Sequence, residues 1–303
     1  MKYKKILVVN KKPLLDIYKK KSKKELNNLI AAGWDMDDLE AEVNADRLAK
    51  KTVKDVLRAD KDVNVDWKYR AYLSKKLIDN YDLIISFGGD GTLIEASHYI
   101  IDKPVLGVNS DYRPEDPGSS EGFFFSANRH NFEEQYNKLK KGKISEHKFT
   151  RFELELNDKK LDDLVLNDIL IAHSVPAATS RMVVKDKGIE EFQKSSGLVV
   201  ATAASNWAVK ISGIVLPIEE ELFQYCTREI YLGRLNPNPK LDKGVTDMLE
   251  IYSKMRQGVL YVDGFHVKYP FGLGDKLKVT ISDNPLRILG FDEEKREKYY
   301  CKT

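Results

Sequence analysis

Phe87-Gly88-Gly89-Asp90-Gly91-Thr92-Leu93 is the stretch from which the fold is read. It follows Asp82-Leu83-Ile84-Ile85-Ser86-Phe87, a short apolar run suited to a buried strand. Leu93 to Ile101 then carries the spacing of a helix. A glycine-rich turn there sits at the carboxyl end of a strand, where open α/β sheets bind ligands. Glycines permit a tight turn and a close approach of backbone to a bulky ligand. The N–H groups of the turn and helix start can hold phosphate oxygens, and Thr92 adds a hydroxyl donor. Asp90 is the informative residue, because a carboxylate repels phosphate. It is tolerated where it coordinates magnesium or accepts a proton from an attacking hydroxyl, and both fit phosphoryl transfer. The plain alternative is an acid at a helix N-terminus, a common placement. Neither GxxxxGK(S/T) nor GxGxxG occurs, so P-loop and dinucleotide-redox readings lack their fingerprints.

Outward from this turn, the first half alternates strand and helix. Ile6 to Val9, Val63 to Trp67 and Pro104 to Val108 read as further strands. Residues 20–31, 38–58 and 69–78 read as helices. That alternation predicts a doubly wound parallel sheet. From Lys148 the helical period fades. Phe152 to Leu156, Met182 to Val184, Leu198 to Ala201, Ile230 to Leu232, Val259 to Val262 and Leu277 to Ile281 predict an antiparallel, sandwich-like domain. The expected division is 1–145 for the α/β domain and 146–283 for the β-rich domain. Residues 284–303 form a C-terminal segment that returns to the first domain, with the site in the cleft between the two.

The 303 residues fit two domains, and 42% hydrophobic with 32% charged residues gives a core and a solvated surface. A net charge of +3, with both signs dispersed, argues against a nucleic-acid binder. Lys19 to Lys24 reads as a solvated helix end rather than a membrane or nucleic-acid attachment. Cys226 and Cys301 are too few and too far apart for a disulfide framework or a zinc site. No apolar run approaches membrane length, and the first one reads as a strand rather than a signal peptide, so the expected location is the cytoplasm.

With these residues in place, the chain resembles the NAD kinase family, and its mitochondrial type in particular. Gly88-Gly89-Asp90-Gly91-Thr92 carries the likeness first; related forms occur in diacylglycerol and sphingosine kinases and, with the fourth residue altered, in phosphofructokinases. Further landmarks follow in family order: Gly107 to Asp111, Ser120 to Phe123, Leu166 to Ile169, Gln193 to Leu198, Cys226 to Glu229, Val262 to Gly264 and Gly274-Asp275. The likeness spans about residues 4–290. It implies the NAD kinase/diacylglycerol kinase-like fold. It implies transfer of a γ-phosphoryl group from ATP, as its Mg2+ complex, to the 2′-hydroxyl of the adenosine ribose of NAD. Asp90 would be the general base. Gly88, Gly89, Gly91 and Thr92 would hold nucleotide phosphates, and Asn109 would line the adjoining pocket. Asn167 and Asp168 would hold the NAD nucleotide, with Thr202 and Ser205 nearby. No residue is assigned as a metal ligand, and the implied assembly is a homodimer or homotetramer.

Two departures stand out. Asp168 replaces the family's usual Glu, shortening the reach by one methylene. Ala201-Thr202-Ala203-Ala204-Ser205-Asn206-Trp207-Ala208 replaces a glycine-rich Thr-Gly-Ser loop. Ala or Ser at a position needing φ > 0 is costly, so the loop takes another path or the glycines are dispensable. His173 reads as a polar surface residue, although it could touch a ligand. Arg228 could pair with Glu229 or meet phosphate, and Trp207 could stack on a base or pack in a core or interface. Two other functions remain open: a lipid or sugar kinase with the same turn, and a non-catalytic NAD(H)-binding regulator.

Overall fold

The computed structural model describes residues 3–116, 119–120, 122–233 and 237–294. The chain divides into two compact units, one of residues 3–147 with 287–294 and one of Lys148–Leu286.

The first unit is built on a seven-stranded sheet. Strand order is Asn64–Tyr69, Lys5–Asn10, Leu83–Gly88, Val105–Asn109, Leu286–Leu289 and Glu146–Phe149, with Ala127–Asn128 also paired to Val105–Asn109. Neighbours from Asn64–Tyr69 through Leu286–Leu289 run parallel. Every residue of Leu83–Gly88 and Val105–Asn109 is buried, as expected of parallel strands covered on both faces. The helix Met36–Ala59 turns Ala49, Val53 and Leu57 to the sheet at helical spacing, and Phe132–Lys140 adds Phe132, Tyr136 and Leu139. Asp35 starts the long helix by accepting the Asp37 N–H. Lys19 to Lys24 is exposed at the junction of helices Leu14–Lys19 and Lys23–Ala31, as the sequence implied.

The second unit is two six-stranded antiparallel sheets. One runs Ile189–Ser195, Ser180–Asp186, Met248–Ser253, Lys276–Ile281, Phe152–Leu156, Lys159–Lys160. The other runs Lys243–Thr246, Phe223–Arg228, Gly197–Ala201, Asp168–His173, Gly258–Val262, Val267–Pro270. Side chains alternate across each strand. Ile169, Ile171, Leu198, Val200, Phe223, Tyr225, Leu260 and Val262 of the second sheet enter the core with Leu154, Met182, Val184, Ile251 and Val279 of the first. The opposite face carries Asp168, Leu170, Val199, Ala201 and Arg228. The helix Asn206–Ser212 covers part of it, packing Ala208 on Val199 and Ala201.

Three sequence expectations are corrected. Residues 69–78 do not form one helix: the strand continues to Tyr69, a 3-10 turn covers Arg70–Tyr72, and one turn of helix, Lys75–Ile78, is capped by Ser74. The helix after the glycine turn starts at Asp90 and ends at Ser97, not Ile101. Ile230 to Leu232 is not a strand, because Phe223–Arg228 takes the ladder and ends at Glu229, whose φ is +48°. Tyr231 and Leu232 are left exposed. Cys226 is a free thiol, and Cys301 lies outside the described residues, as does the chain after Glu294.

Gly107 shows how tightly the first sheet is packed. A Cβ there would lie 2.1 Å from Phe125 Cδ1 and 3.0 Å from the Phe124 carbonyl oxygen. Gly107→Ala should therefore lower stability by about 1–3 kcal/mol, the usual range for overpacking. Urea denaturation should show a lower midpoint with an unchanged slope, and an unchanged midpoint would contradict this packing.

Candidate active site

Strand Leu83–Gly88 delivers the glycine turn, and Gly89 precedes the helix Asp90–Ser97 with φ −111° and ψ 179°. No glycine of this turn has a positive φ. Two of the three are required by space instead. A Cβ on Gly88 would fall 2.4 Å from Thr92 Oγ1, and one on Gly89 would fall 2.9 Å from Ser120 Oγ. Gly91 has nothing within 4 Å of such a Cβ, so this side of the turn is open. Asp90 stands at the positive end of the helix. Its Oδ2 accepts the Phe123 N–H at 2.9 Å and its Oδ1 the Phe124 N–H at 3.1 Å. The two amides hold the carboxylate plane in a fixed orientation.

Thr92 is buried under Gly88, and its hydroxyl has no hydrogen-bond partner. Asn109 is buried too. Its amide donates to the Ser120 carbonyl at 2.8 Å and accepts the Asp111 N–H at 3.0 Å. Gly122, at φ +63°, leaves room for it, since a Cβ there would meet Asn109 Nδ2 at 2.7 Å. Asn109 thus ties the end of one strand to the segment that presents the Phe123 and Phe124 amides. Glu121, within that segment, lies outside the described residues.

In the second unit, Leu166-Asn167-Asp168 is held by a carboxylate. Asp263 accepts the N–H groups of Leu166, Asn167 and Asp168 at 3.0, 2.8 and 3.0 Å. From the other side, Thr202 donates its hydroxyl to the Leu166 carbonyl at 2.5 Å and its N–H to the Asn167 carbonyl at 3.0 Å. Asp168 Oδ2 then accepts Asn167 Nδ2 at 2.8 Å and the Ser205 hydroxyl at 2.7 Å. Ser205 also caps the helix Asn206–Ser212 by accepting the Ala208 N–H at 3.2 Å. Asp168 Oδ1 has no partner among the described residues. Residues 203–205 contain no positive φ, so the alanines in place of glycines fit this loop without strain.

Asp168 opens onto a cavity of about 640 Å3, floored by Leu170 and Ala172 and walled by His173, Pro176, Ser196, Trp207, Arg228, Glu229, Tyr261 and Phe265. Its volume is in the range of sites for small organic ligands. Burial is the main force raising the Asp168 pKa to about 6, opposed by the Ser205 hydrogen bond and reinforced by the Asp263 charge. His173 is a wall residue rather than a surface one, its Nδ1 accepting the Val175 N–H at 3.0 Å. Arg228 and Glu229 form no ion pair. Arg228 lies over Trp207, and the Glu229 carboxylate accepts the Ser196 hydroxyl.

The chain as a whole is similar to known proteins. The chain is 34% identical over 232 residues to a probable NADH kinase of Oryza sativa, covering 69% of this chain and 70% of that protein. It is 33% identical over 245 residues to an NADH kinase of Arabidopsis thaliana, covering 73% and 77% respectively. The chain belongs to the NAD kinase family. No protein-family model matches it. The fold agrees with solved family structures. An NAD kinase from Archaeoglobus fulgidus in complex with ATP superposes with TM-score 0.66 at 18% identity, covering 99% of both chains. A yeast NADH kinase complexed with NADH gives 0.71 at 14% identity, covering 98% of this chain and 86% of that one.

Within the first unit, Gly88, Gly89, Gly91 and Asp90 come together at one turn, with Thr92 and Asn109 bracing it from beneath. Within the second, Asn167, Asp168, Thr202 and Ser205 form one hydrogen-bonded cluster. Sequence reasoning missed Asp263, because Asp263-Gly264 between two strands reads as an ordinary hairpin turn. It also missed the Phe123 and Phe124 amides, since backbone donors leave no mark in side-chain identity.

The Asp168 shift carries a pH dependence. The folded carboxyl holds its proton more tightly than the unfolded one, so this contribution to stability is full below about pH 4 and is lost as pH rises through about 6. Asp168→Asn should flatten that stretch of the ligand-free stability profile, measured by urea denaturation at successive pH values. An unaltered slope between pH 4 and 6 would contradict the shift.

Proposed function

We propose that this chain is an NAD kinase that transfers the γ-phosphoryl group of ATP to the 2′-hydroxyl of the adenosine ribose of NAD. Family membership supports the reaction, and one observation supports the chemistry: both Asp90 oxygens are fixed by the Phe123 and Phe124 amides beside the open side of the turn. Gly88, Gly89 and Gly91 present backbone to the nucleotide phosphates, with Thr92 and Asn109 holding the turn in shape. Asp90 accepts the proton of the ribose hydroxyl as that oxygen attacks phosphorus, and the bond to the departing diphosphate oxygen breaks. Positioning and charge compensation supply most of the remaining acceleration.

The acceptor nucleoside is held by Asp168 and Asn167. Asp168 Oδ1 accepts a ribose hydroxyl, while Ser205 and Asn167 keep Oδ2 occupied and the carboxyl plane fixed. Thr202 and Asp263 act on the nucleoside only through this turn. Among the described residues no three His, Cys, Asp or Glu side chains converge as a metal site. In this proposal magnesium arrives on the donor nucleotide as part of the substrate, neutralising phosphate charge. Action in the cytoplasm and assembly as a homodimer or homotetramer complete the proposal, on the strength of the family resemblance. No helix among the described residues is long and apolar enough to cross a membrane.

Asp90→Asn keeps the size of the side chain and an acceptor for one of the two amides, and removes the base. Its kcat for NADP formation should fall by about 10²–10⁴, with ATP binding retained, as read by a coupled NADP-specific dehydrogenase and by calorimetry. Near-normal turnover in this variant would exclude the general-base role.

A further inference from the structure

Arg228 ends the strand Phe223–Arg228 on the cavity face of its sheet. Its guanidinium carbon stands 5.6 Å from the centroid of the Trp207 ring. Among the described residues it meets no carboxylate within ion-pair distance and donates no side-chain hydrogen bond. That is costly for a half-buried group that cannot shed its charge and carries five N–H donors. The adjacent acid does not compensate it. Glu229 turns away in a left-handed conformation, φ +48°, and its carboxylate is tied to the Ser196 hydroxyl. The guanidinium lies over the Trp207 ring, a cation–π contact that leaves its N–H donors for a ligand.

The register places this cation relative to Asp168. Gly197 lies opposite Arg228, and Ala201, on the same strand, lies opposite Asp168. The two positions are separated by about 13 Å along the strand. Between them the floor offers the apolar Leu170 and Ala172. The cavity thus offers a carboxylate that accepts hydroxyls at one place and an unpaired guanidinium at another. A ribose attached to a diphosphate supplies both partners. We propose that Arg228, placed over Trp207, is the anchor for the diphosphate bridge of the dinucleotide substrate. Its fork meets two phosphate oxygens at once, the geometry in which arginine binds phosphate most strongly. The inference rests on the reading of this cavity as the dinucleotide site.

Calorimetric titration of the full chain with NAD, ADP-ribose and adenosine tests it. In Arg228→Gln, affinity for NAD and ADP-ribose should fall by roughly tenfold or more, while affinity for adenosine stays within about twofold. Arg228→Lys keeps the charge but not the fork, so it should give an intermediate loss and guard against a folding defect. Raising the salt concentration should weaken ADP-ribose binding to the parent protein and have less effect on Arg228→Gln. Equal losses for adenosine and ADP-ribose would make Arg228 a structural support of Trp207 and overturn the proposal. Unchanged ADP-ribose affinity in Arg228→Gln would overturn it while leaving the dinucleotide reading intact. Failure of the parent protein to bind either NAD or ADP-ribose would overturn both.

Discussion

The carboxylate of Asp263, accepting three consecutive backbone N–H groups, is the interaction on which the ligand wall of the second unit depends. It fixes the bend of Leu166 and Asn167 that leads into the strand Asp168–His173. Asp168, the first residue of that strand, is thereby held with its side chain on the cavity face of the sheet. A hydrogen bond to a charged acceptor is worth about 1.5–3 kcal/mol, so three of them outweigh the entropy of ordering one short turn. Thr202 closes the turn from the other side, and Ser205 joins it to the start of the helix Asn206–Ser212. Loop, helix and carboxylate are one hydrogen-bonded assembly.

The first unit solves a similar problem with the roles reversed. There the reactive carboxylate is itself the acceptor, and the Phe123 and Phe124 amides are the clamp. The amides are in turn held by Asn109 and by the close packing of Phe125 on Gly107 and Gly122. In the first unit the carboxylate is oriented by backbone donors, and in the second Asp168 is oriented by the Ser205 hydroxyl and the Asn167 amide. This leaves Asp168 Oδ1 as an acceptor for a hydroxyl.

Much of this was legible in the sequence for identifiable reasons. Leu83 to Phe87, broken only by Ser86, and Val105 to Val108 are near-continuous apolar runs of the kind that buried parallel strands show. Phe152 to Leu156 alternates because one of its faces meets the core. The glycine turn announced itself because an acid among glycines is hard to explain by folding alone. Where the reading failed, tertiary context decided. Residues 69–78 have helical spacing, yet parallel pairing of Tyr69 with Asn10 extends the strand first. Ile230 to Leu232 has β-propensity, yet it follows a left-handed Glu229, and the Tyr231 N–H bond to the Lys194 carbonyl is not extended into a strand. The alanines of residues 201–208 looked incompatible with a glycine loop. They fit because the backbone stays in ordinary regions of φ there. Asp263 could not be singled out, because its three donors come from residues nearly a hundred positions earlier.

The central claim is that these two sets of groups serve one phosphoryl transfer to a ribose hydroxyl. The position of the phosphate on the product tests it most directly. The purified protein would be incubated with NAD and magnesium ATP, and the dinucleotide product examined by phosphorus NMR. The account predicts a new phosphomonoester on the 2′-oxygen of the adenosine ribose. No phosphorylation of NAD or NADH, with both nevertheless bound, would contradict it and leave a nucleotide-binding protein without this activity.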